Sequence, residues 1–218
     1  MKRRTLMNVL ACGAMCLTVG VAGAWQPASS TKAEPKAKIG EKAPTFVLTD
    51  IDGKEHDLAA YTKEEKIVVL EWFNPGCPWV QKHHGGELNM LVDTYREFKD
   101  KNVVWLMINS GAPGQQGAGK EVNAKAKKDM EIPYPILLDE SGKVGKSYGA
   151  KTTPHMYIID AEGVLRYMGA PDDFREPDGS GKLGQRNFVK ETLTKLLSDE
   201  TIEITQTQQY GCDVKYAR

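Results

Sequence analysis

Apolar residues along this chain alternate between strand-like runs and helical spacings. Lys66 to Phe73 (KIVVLEWF) is a near-continuous apolar run rich in β-branched residues, as expected of a strand covered on both faces. Phe46-Val47-Leu48 predicts a shorter strand, and Asp50-Ile51-Asp52-Gly53-Lys54 a hairpin turn after it. Val103 to Ile108 predicts a second buried strand, and Pro135 to Leu138 a short one ending in Asp139. His155 to Ile159, then Asp160-Ala161-Glu162-Gly163, then Val164 to Met168 predict a strand, a turn and a paired strand. A helical pattern follows the first buried strand, broken by Gly85-Gly86 and resumed by Leu88, Leu91, Val92, Tyr95 and Phe98. Glu121 to Met130 and Ser141 to Tyr148 predict two more helices, and Phe188, Leu193, Leu196 and Leu197 a final amphipathic one. This order predicts an α/β fold with a central mixed β-sheet and helices on both faces.

The ends of the chain break this pattern. Lys2, Arg3 and Arg4 precede a mostly apolar stretch from Leu6 to Val21, and Ala22-Gly23-Ala24 offers the small residues of a cleavage site. The stretch is short for a membrane span, and Gly13 and Gly20 weaken it as a helix. Residues 1–24 are therefore expected to be a secretory signal peptide, giving an exported protein with no membrane segment in its mature form. The paired Arg3-Arg4 leaves the twin-arginine route open beside the general one. Residues 25–38, rich in Pro, Ala, Ser and Lys, predict a flexible linker. The domain is expected at 39–197, with a polar C-terminal tail at 198–218.

Charge narrows the partners only by exclusion. The 218 residues carry 29 basic and 29 acidic side chains, so nothing points to nucleic acid or an anionic membrane surface. Cleavage after Ala24 would remove three of the basic residues and leave the remainder mildly acidic. It would also remove Cys12 and Cys16, so that Cys77 and Cys212 remain. In an oxidising compartment, two cysteines commonly mean a structural disulfide.

The setting of Cys77 argues for more than a staple. It lies in Trp72-Phe73-Asn74-Pro75-Gly76-Cys77-Pro78, where Pro75-Gly76 turns the chain out of the buried strand and Pro78 suits a first helical turn. A thiol at a helix start faces unpaired N–H groups and the positive end of the dipole, which favour the nucleophilic thiolate. Glu71 interrupts the buried strand six residues earlier. A desolvated carboxylate has a raised pKa and can pass protons near neutrality, whereas a Glu reaching solvent or a Lys would be inert. Thr153-Pro154 precedes an apolar strand, either as an edge device or with a cis peptide bond.

Cys77, Glu71 and Thr153-Pro154, in this order, resemble the thioredoxin superfamily. The resemblance spans residues ~39–197. The segments WFNPGCP, INSGAPGQQG, TTPHMYIIDAEGVLRYMG and YGCDVKY are more closely similar to the peroxiredoxin-like redoxins grouped with alkyl hydroperoxide reductase and thiol-specific antioxidant proteins. The resemblance implies a thioredoxin-like fold in which Cys77 is the reactive thiol, Glu71 the buried carboxylate and Pro154 the cis-proline facing the sulfur. It also departs from pattern. Val80 stands where Cys-x-x-Cys would place a second cysteine, and Asn74 and Leu70 stand where the peroxiredoxin motif has Thr and Pro.

Cys212 is the candidate resolving thiol. Residues 198–212, if extended, reach roughly 45–50 Å, against a domain radius of gyration of about 16 Å. A static Cys77–Cys212 bridge, or a Cys212 that never approaches, are the alternatives. His83 and His84, two helical turns after Cys77, are read as solvated side chains or, with the cysteines, as copper or zinc ligands. Trp79 is expected to line the rim of the site, and Ser110 to Gly119 to form a flexible loop beside it that lacks a phosphate-loop pattern. The leading expectation is an exported thiol-based oxidoreductase that needs no organic cofactor. A reducing thiol partner protein and a disulfide or hydroperoxide substrate follow. Thiol peroxidase and a redox-inactive or copper-binding module are the rivals.

Overall fold

Strand β3 (Ile67–Trp72) is buried at every position, so its alternate side chains serve two different cores. Val69 and Phe73 point to one face of the sheet, where they meet Trp105, Met107, Met156 and Ile158. Val68, Leu70 and Trp72 point to the other, where they meet Leu106, Ile108, Tyr157 and Ile159. Each such aliphatic side chain contributes about 1.5–3 kcal/mol of burial. The computed structural model describes residues 36–84, 89–174 and 183–217. The expected signal peptide and most of the expected linker lie outside these residues. Ala37, within the segment read as linker, already donates its N–H to the Ser147 carbonyl at 2.9 Å.

The central sheet has the order β5-β4-β3-β7-β8. Strands β4 (Val103–Asn109) and β5 (Ile136–Leu138) run parallel to β3 on one side. On the other side, β7 (His155–Ile159) is antiparallel to β3, and β8 (Leu165–Gly169) antiparallel to β7. The mixed sheet expected from the apolar runs is therefore present. A separate pair, β1 (Val47–Thr49) and β2 (Glu55–Asp57), is joined by the expected turn at Asp50–Lys54.

Helices cover both faces. On the first lie α2 (Pro78–His84), α3 (Met90–Phe98) and α6 (Phe188–Leu197), which contribute Val80, Leu91, Val92, Val189 and Leu193. Also on this face, α4 (Lys120–Asp129) inserts Ala126. The second face receives Leu58 from α1 (Leu58–Lys63) and Tyr148 from α5 (Lys143–Tyr148). Helix α1 was not expected: its start is fixed by Asp57, whose side chain accepts from Ala59 N.

A third, two-stranded element pairs β6 (Thr152–Thr153) with β9 (Cys212–Asp213), antiparallel. It brings the C-terminal tail to the edge of the reactive loop. None of the helices among the described residues is long and apolar enough to cross a membrane.

Candidate active site

The sequence after β3 builds a tight turn that presents Cys77 at the start of α2. Asn74 Oδ1 accepts from Gly76 N at 2.8 Å, and the Asn74 carbonyl accepts from Cys77 N at 3.0 Å. The Cys77 carbonyl in turn accepts from Val80 N and Gln81 N, at 3.0 and 3.1 Å, so Cys77 caps the helix as expected. The loop 110–119 holds this turn from outside, with Asn74 Nδ2 donating to the Gln116 carbonyl at 3.0 Å. Gly117 has φ of +76°, and a Cβ there would sit 2.1 Å from Asn74 Oδ1. A glycine is needed for so close an approach. Beside the turn opens a cleft of ≈ 320 Å³ bordered by Pro75, Gly76, Gln81, Gly117, Val122 and Met130.

Cys77 itself is only 1% exposed. Its Sγ donates to the carbonyl oxygen of Thr153 at 3.0 Å, and Thr153-Pro154 is a cis peptide bond. The loop expected to face the sulfur therefore does face it. Among the described residues the sulfur's hydrogen bond goes to this carbonyl rather than to the N–H groups of its own helix.

The tail supplies the other side of the site. Cys212 lies opposite Thr153 in the β6–β9 pair, and Thr153 Oγ1 donates to the Cys212 carbonyl at 3.4 Å. Val214 N donates to the Lys151 carbonyl and Ala112 N to the Lys215 carbonyl, at 2.9 and 2.8 Å. Gly211 has φ of +123°, and a Cβ there would lie 2.1 Å from the Thr153 oxygen. Both cysteines are free thiols. Burial, then a hydrogen bond to Cys77 and the charge of Cys77, push the Cys212 thiol up to about 12. The Cys212 thiol is thus held protonated. Val80, at the position a Cys-x-x-Cys pair would use, is fully buried in the core.

Glu71 is fully buried, and among the described residues its carboxylate is hydrogen-bonded to His84, Trp105 and Tyr134 rather than to the sulfur. His84 Nε2 lies 2.5 Å from Oε1, Trp105 Nε1 donates to Oε2 at 3.1 Å, and Tyr134 OH donates to Oε2 at 3.5 Å. Burial, then the charge of Glu71 and this hydrogen bond, hold the Tyr134 hydroxyl well above its ordinary value. Glu71 thus sits on the same face of the sheet as α2 and grips the far end of that helix through His84.

The solvated reading of His83 and His84 is corrected: their exposures are 0% and 1%. Helix α2 is wedged between the sheet and the tail, so two adjacent side chains are both covered, His84 by Glu71 and His83 by Tyr210. His83 Nε2 and Tyr210 OH are 2.8 Å apart. Burial, then the charges of Lys82 and His84, hold the His83 imidazole well below its ordinary value. These partners also keep the histidines from converging on the cysteines. Among the described residues no group of three or more His, Cys, Asp and Glu side chains is placed to hold a metal ion. Trp79, expected at the rim, meets the Tyr210 ring with centroids 4.8 Å apart, so its apolar contact is with the tail.

Tyr210 and Asp172 are the residues that sequence reasoning missed. Tyr210 OH donates to Asp172 Oδ1, and Asp172, fully buried, also accepts from Gly184 N at 2.7 Å. The one available signal was the aromatic residue just before Gly211-Cys212 in an otherwise polar tail.

Comparison with known proteins places this geometry. The model of the AhpC/TSA family matches residues 39–168. Thiol-disulfide oxidoreductase ResA of Bacillus thuringiensis subsp. konkukian is 26% identical over 165 residues, covering 74% of this chain and 83% of that protein. ResA of Geobacillus kaustophilus is 28% identical over 130 residues, covering 60% and 68%. Among solved structures, an uncharacterized conserved protein from Geobacillus kaustophilus superposes with a TM-score of 0.73 at 28% identity, over 83% of this chain and 93% of that one.

Proposed function

The chain belongs to the AhpC/TSA family of thioredoxin-like redoxins, and on that premise we propose that it is a thiol–disulfide oxidoreductase working through Cys77 and Cys212. In the proposed cycle the Cys77 thiolate attacks a sulfur of a substrate disulfide. One substrate thiolate leaves, and a mixed disulfide forms on Cys77. Once Cys77 is in the mixed disulfide, its charge no longer helps to hold the Cys212 proton. Cys212 gives that proton to solvent, attacks Cys77 Sγ and closes the Cys77–Cys212 disulfide, and the second substrate thiolate leaves and is protonated. The substrate gains two electrons and two protons, and an external dithiol protein restores the pair. Sulfur carries the electrons throughout.

The observation that supports this reading is the seating of Cys212 opposite Thr153, whose carbonyl accepts from Cys77 Sγ. A resolving thiol must attack within the mixed disulfide faster than solvent thiols do, and a strand that holds it against the loop gives that proximity. Pro154 shapes the loop, and Glu71 acts through its grip on α2. Export is part of the proposal and rests on the basic, apolar and small-residue pattern of residues 1–24.

The test is turnover of insulin disulfides with a dithiol reductant. Cys77→Ser is expected to abolish turnover, and Cys212→Ser to accumulate a mixed disulfide at Cys77 detectable by mass. Full activity in Cys77→Ser would end this reading. A hydroperoxide is the second substrate class for the same sulfur. It would be favoured by peroxide-dependent oxidation of Cys77 to sulfenic acid outpacing insulin reduction.

A further inference from the structure

We propose that the tail, residues 205–216, is a strap that closes Cys77 off from partners, and that Tyr210 is its catch. The strap must lift before any macromolecular substrate reaches the sulfur. The proposed function contributes only the statement that Cys77 is the group to be reached.

The strap is held mostly by hydrogen bonds rather than by buried side chains: Met168 N donates to the Thr205 carbonyl, Val214 N to the Lys151 carbonyl, Ala170 N to Thr207 Oγ1 and Tyr216 OH to the Ala150 carbonyl. From Thr201 to Ala217, Tyr210 is the only buried residue; every other side chain is half-buried or exposed. The paired strand β9 is two residues long. Segments with few buried groups open locally at far lower free energy than the whole domain unfolds. The core beneath is of the opposite kind, with Cys77 1% exposed and Val80 at 0%.

The catch is built from both sides of the site. Tyr210 has one hydroxyl proton, and Asp172 takes it. His83 Nε2, 2.8 Å from the same oxygen, must therefore be the donor, which leaves Nδ1 bare. Nδ1 indeed has no hydrogen-bond partner among the described residues. His83 lies on α2, the helix that Cys77 caps, so the catch fastens the strap to the element that carries the nucleophile. Lys82 Nζ, 3.6 Å from Asp172 Oδ2, places a cation beside the same carboxylate. Lifting Tyr210 strips Asp172 and His83 of a partner, and this opposes opening without preventing it.

The experiment reads iodoacetamide labelling of Cys77 in the full-length chain by peptide mass mapping, so turnover is not involved. Tyr210→Phe keeps the ring against Trp79 and removes both hydroxyl contacts. Labelling is expected to accelerate about tenfold or more, as for loss of two buried hydrogen bonds. Tyr210→Ala is expected to accelerate it further. Tyr61→Phe, which alters a hydroxyl contact to His56 elsewhere, is expected to leave the rate unchanged. Opening of the strap exposes little surface, so the accelerated rate should barely change between 0 and about 1 M urea. A wild-type rate in Tyr210→Phe, an equal rise in Tyr61→Phe, or a steep urea dependence would each overturn the proposal. Fast labelling with no insulin turnover would sink the enzymatic reading and keep the strap; turnover with unaltered labelling would do the reverse.

Discussion

His84 Nε2 and Glu71 Oε1 stand 2.5 Å apart with neither side chain reaching solvent. The pair ties the last residue of α2 to the middle of the sheet, while Cys77 caps the first turn of the same helix. The orientation of the reactive helix is thereby set from both ends.

Truncating one member of that pair strands the other in the core. Glu71→Ala is expected to lower unfolding free energy by about 3 kcal/mol or more. The double variant Glu71→Leu/His84→Leu deprives Trp105 Nε1 and Tyr134 OH of their acceptor just as Glu71→Ala does, but it leaves no buried imidazole stranded, so it should lose less than Glu71→Ala alone. Urea titrations of both variants decide the matter; equal losses would mean that the pair is not what holds α2.

At Gly211 the backbone leaves no room for a side chain. Gly211→Ala combines an unfavourable φ with a collision on the Thr153 oxygen, and the local distortion is expected to be about 1–3 kcal/mol. Because the tail is peripheral, the thermal midpoint should move little. The amide of Val214, bonded to the Lys151 carbonyl, should exchange with deuterium at least tenfold faster. Unchanged exchange there would contradict the close approach.

Two buried histidines set a pH dependence of stability. Burial, then the charge of Lys151, lowers His155 to about 3, and His83 moves in the same direction. Above pH 6.5 both the folded and unfolded states hold these rings neutral, and they contribute no slope. As pH falls below 6.5 the unfolded chain takes up protons that the folded protein refuses. Stability then declines by about 1.4 kcal/mol per pH unit for each histidine. Urea midpoints at pH 7, 6 and 5 should fall in this order, and the decline should be shallower in His155→Gln. A flat profile would show the rings to be hydrated.

Cys212 is pushed up to about 12, so in the closed reduced protein it stays a thiol through ordinary alkaline pH. With the cysteines carbon-13 labelled at Cβ, the Cys212 resonance should hold its position to about pH 10. Replacing Cys77 by Ser removes the hydrogen bond and the charge that help to raise it, and the titration should move down. Titration near 9 in the unaltered protein would mean that the two sulfurs are not in contact.

The parts of the fold that sequence made legible are those where one physical requirement acts alone. KIVVLEWF is covered on both faces, and nothing but a central strand satisfies such a run. Cys77 at a helix start followed from Pro75-Gly76 and Pro78, whose backbones allow little else. Helix α1 was illegible because Leu58-Ala59-Ala60-Tyr61 buries a single leucine, and its start depends on the Asp57 cap. The tail was illegible for a related reason. Its order comes from backbone pairing with residues far away in sequence and from isolated side chains, Thr207, Tyr210 and Tyr216, none of which leaves a periodicity. Glu71 was correctly read as buried, but its partner was not, because His83-His84 look like a polar pair until the tail covers one and the sheet the other.

The pairing of Thr153 with Cys212 also bears on how the protein comes into being. A ribosome delivers Cys77 well before it delivers Cys212, so the growing chain carries Cys77 before the strand that pairs with Thr153 exists. Until β9 arrives, the loop that faces this sulfur lacks its paired strand, and the thiol has only the core and the Thr153 carbonyl for company.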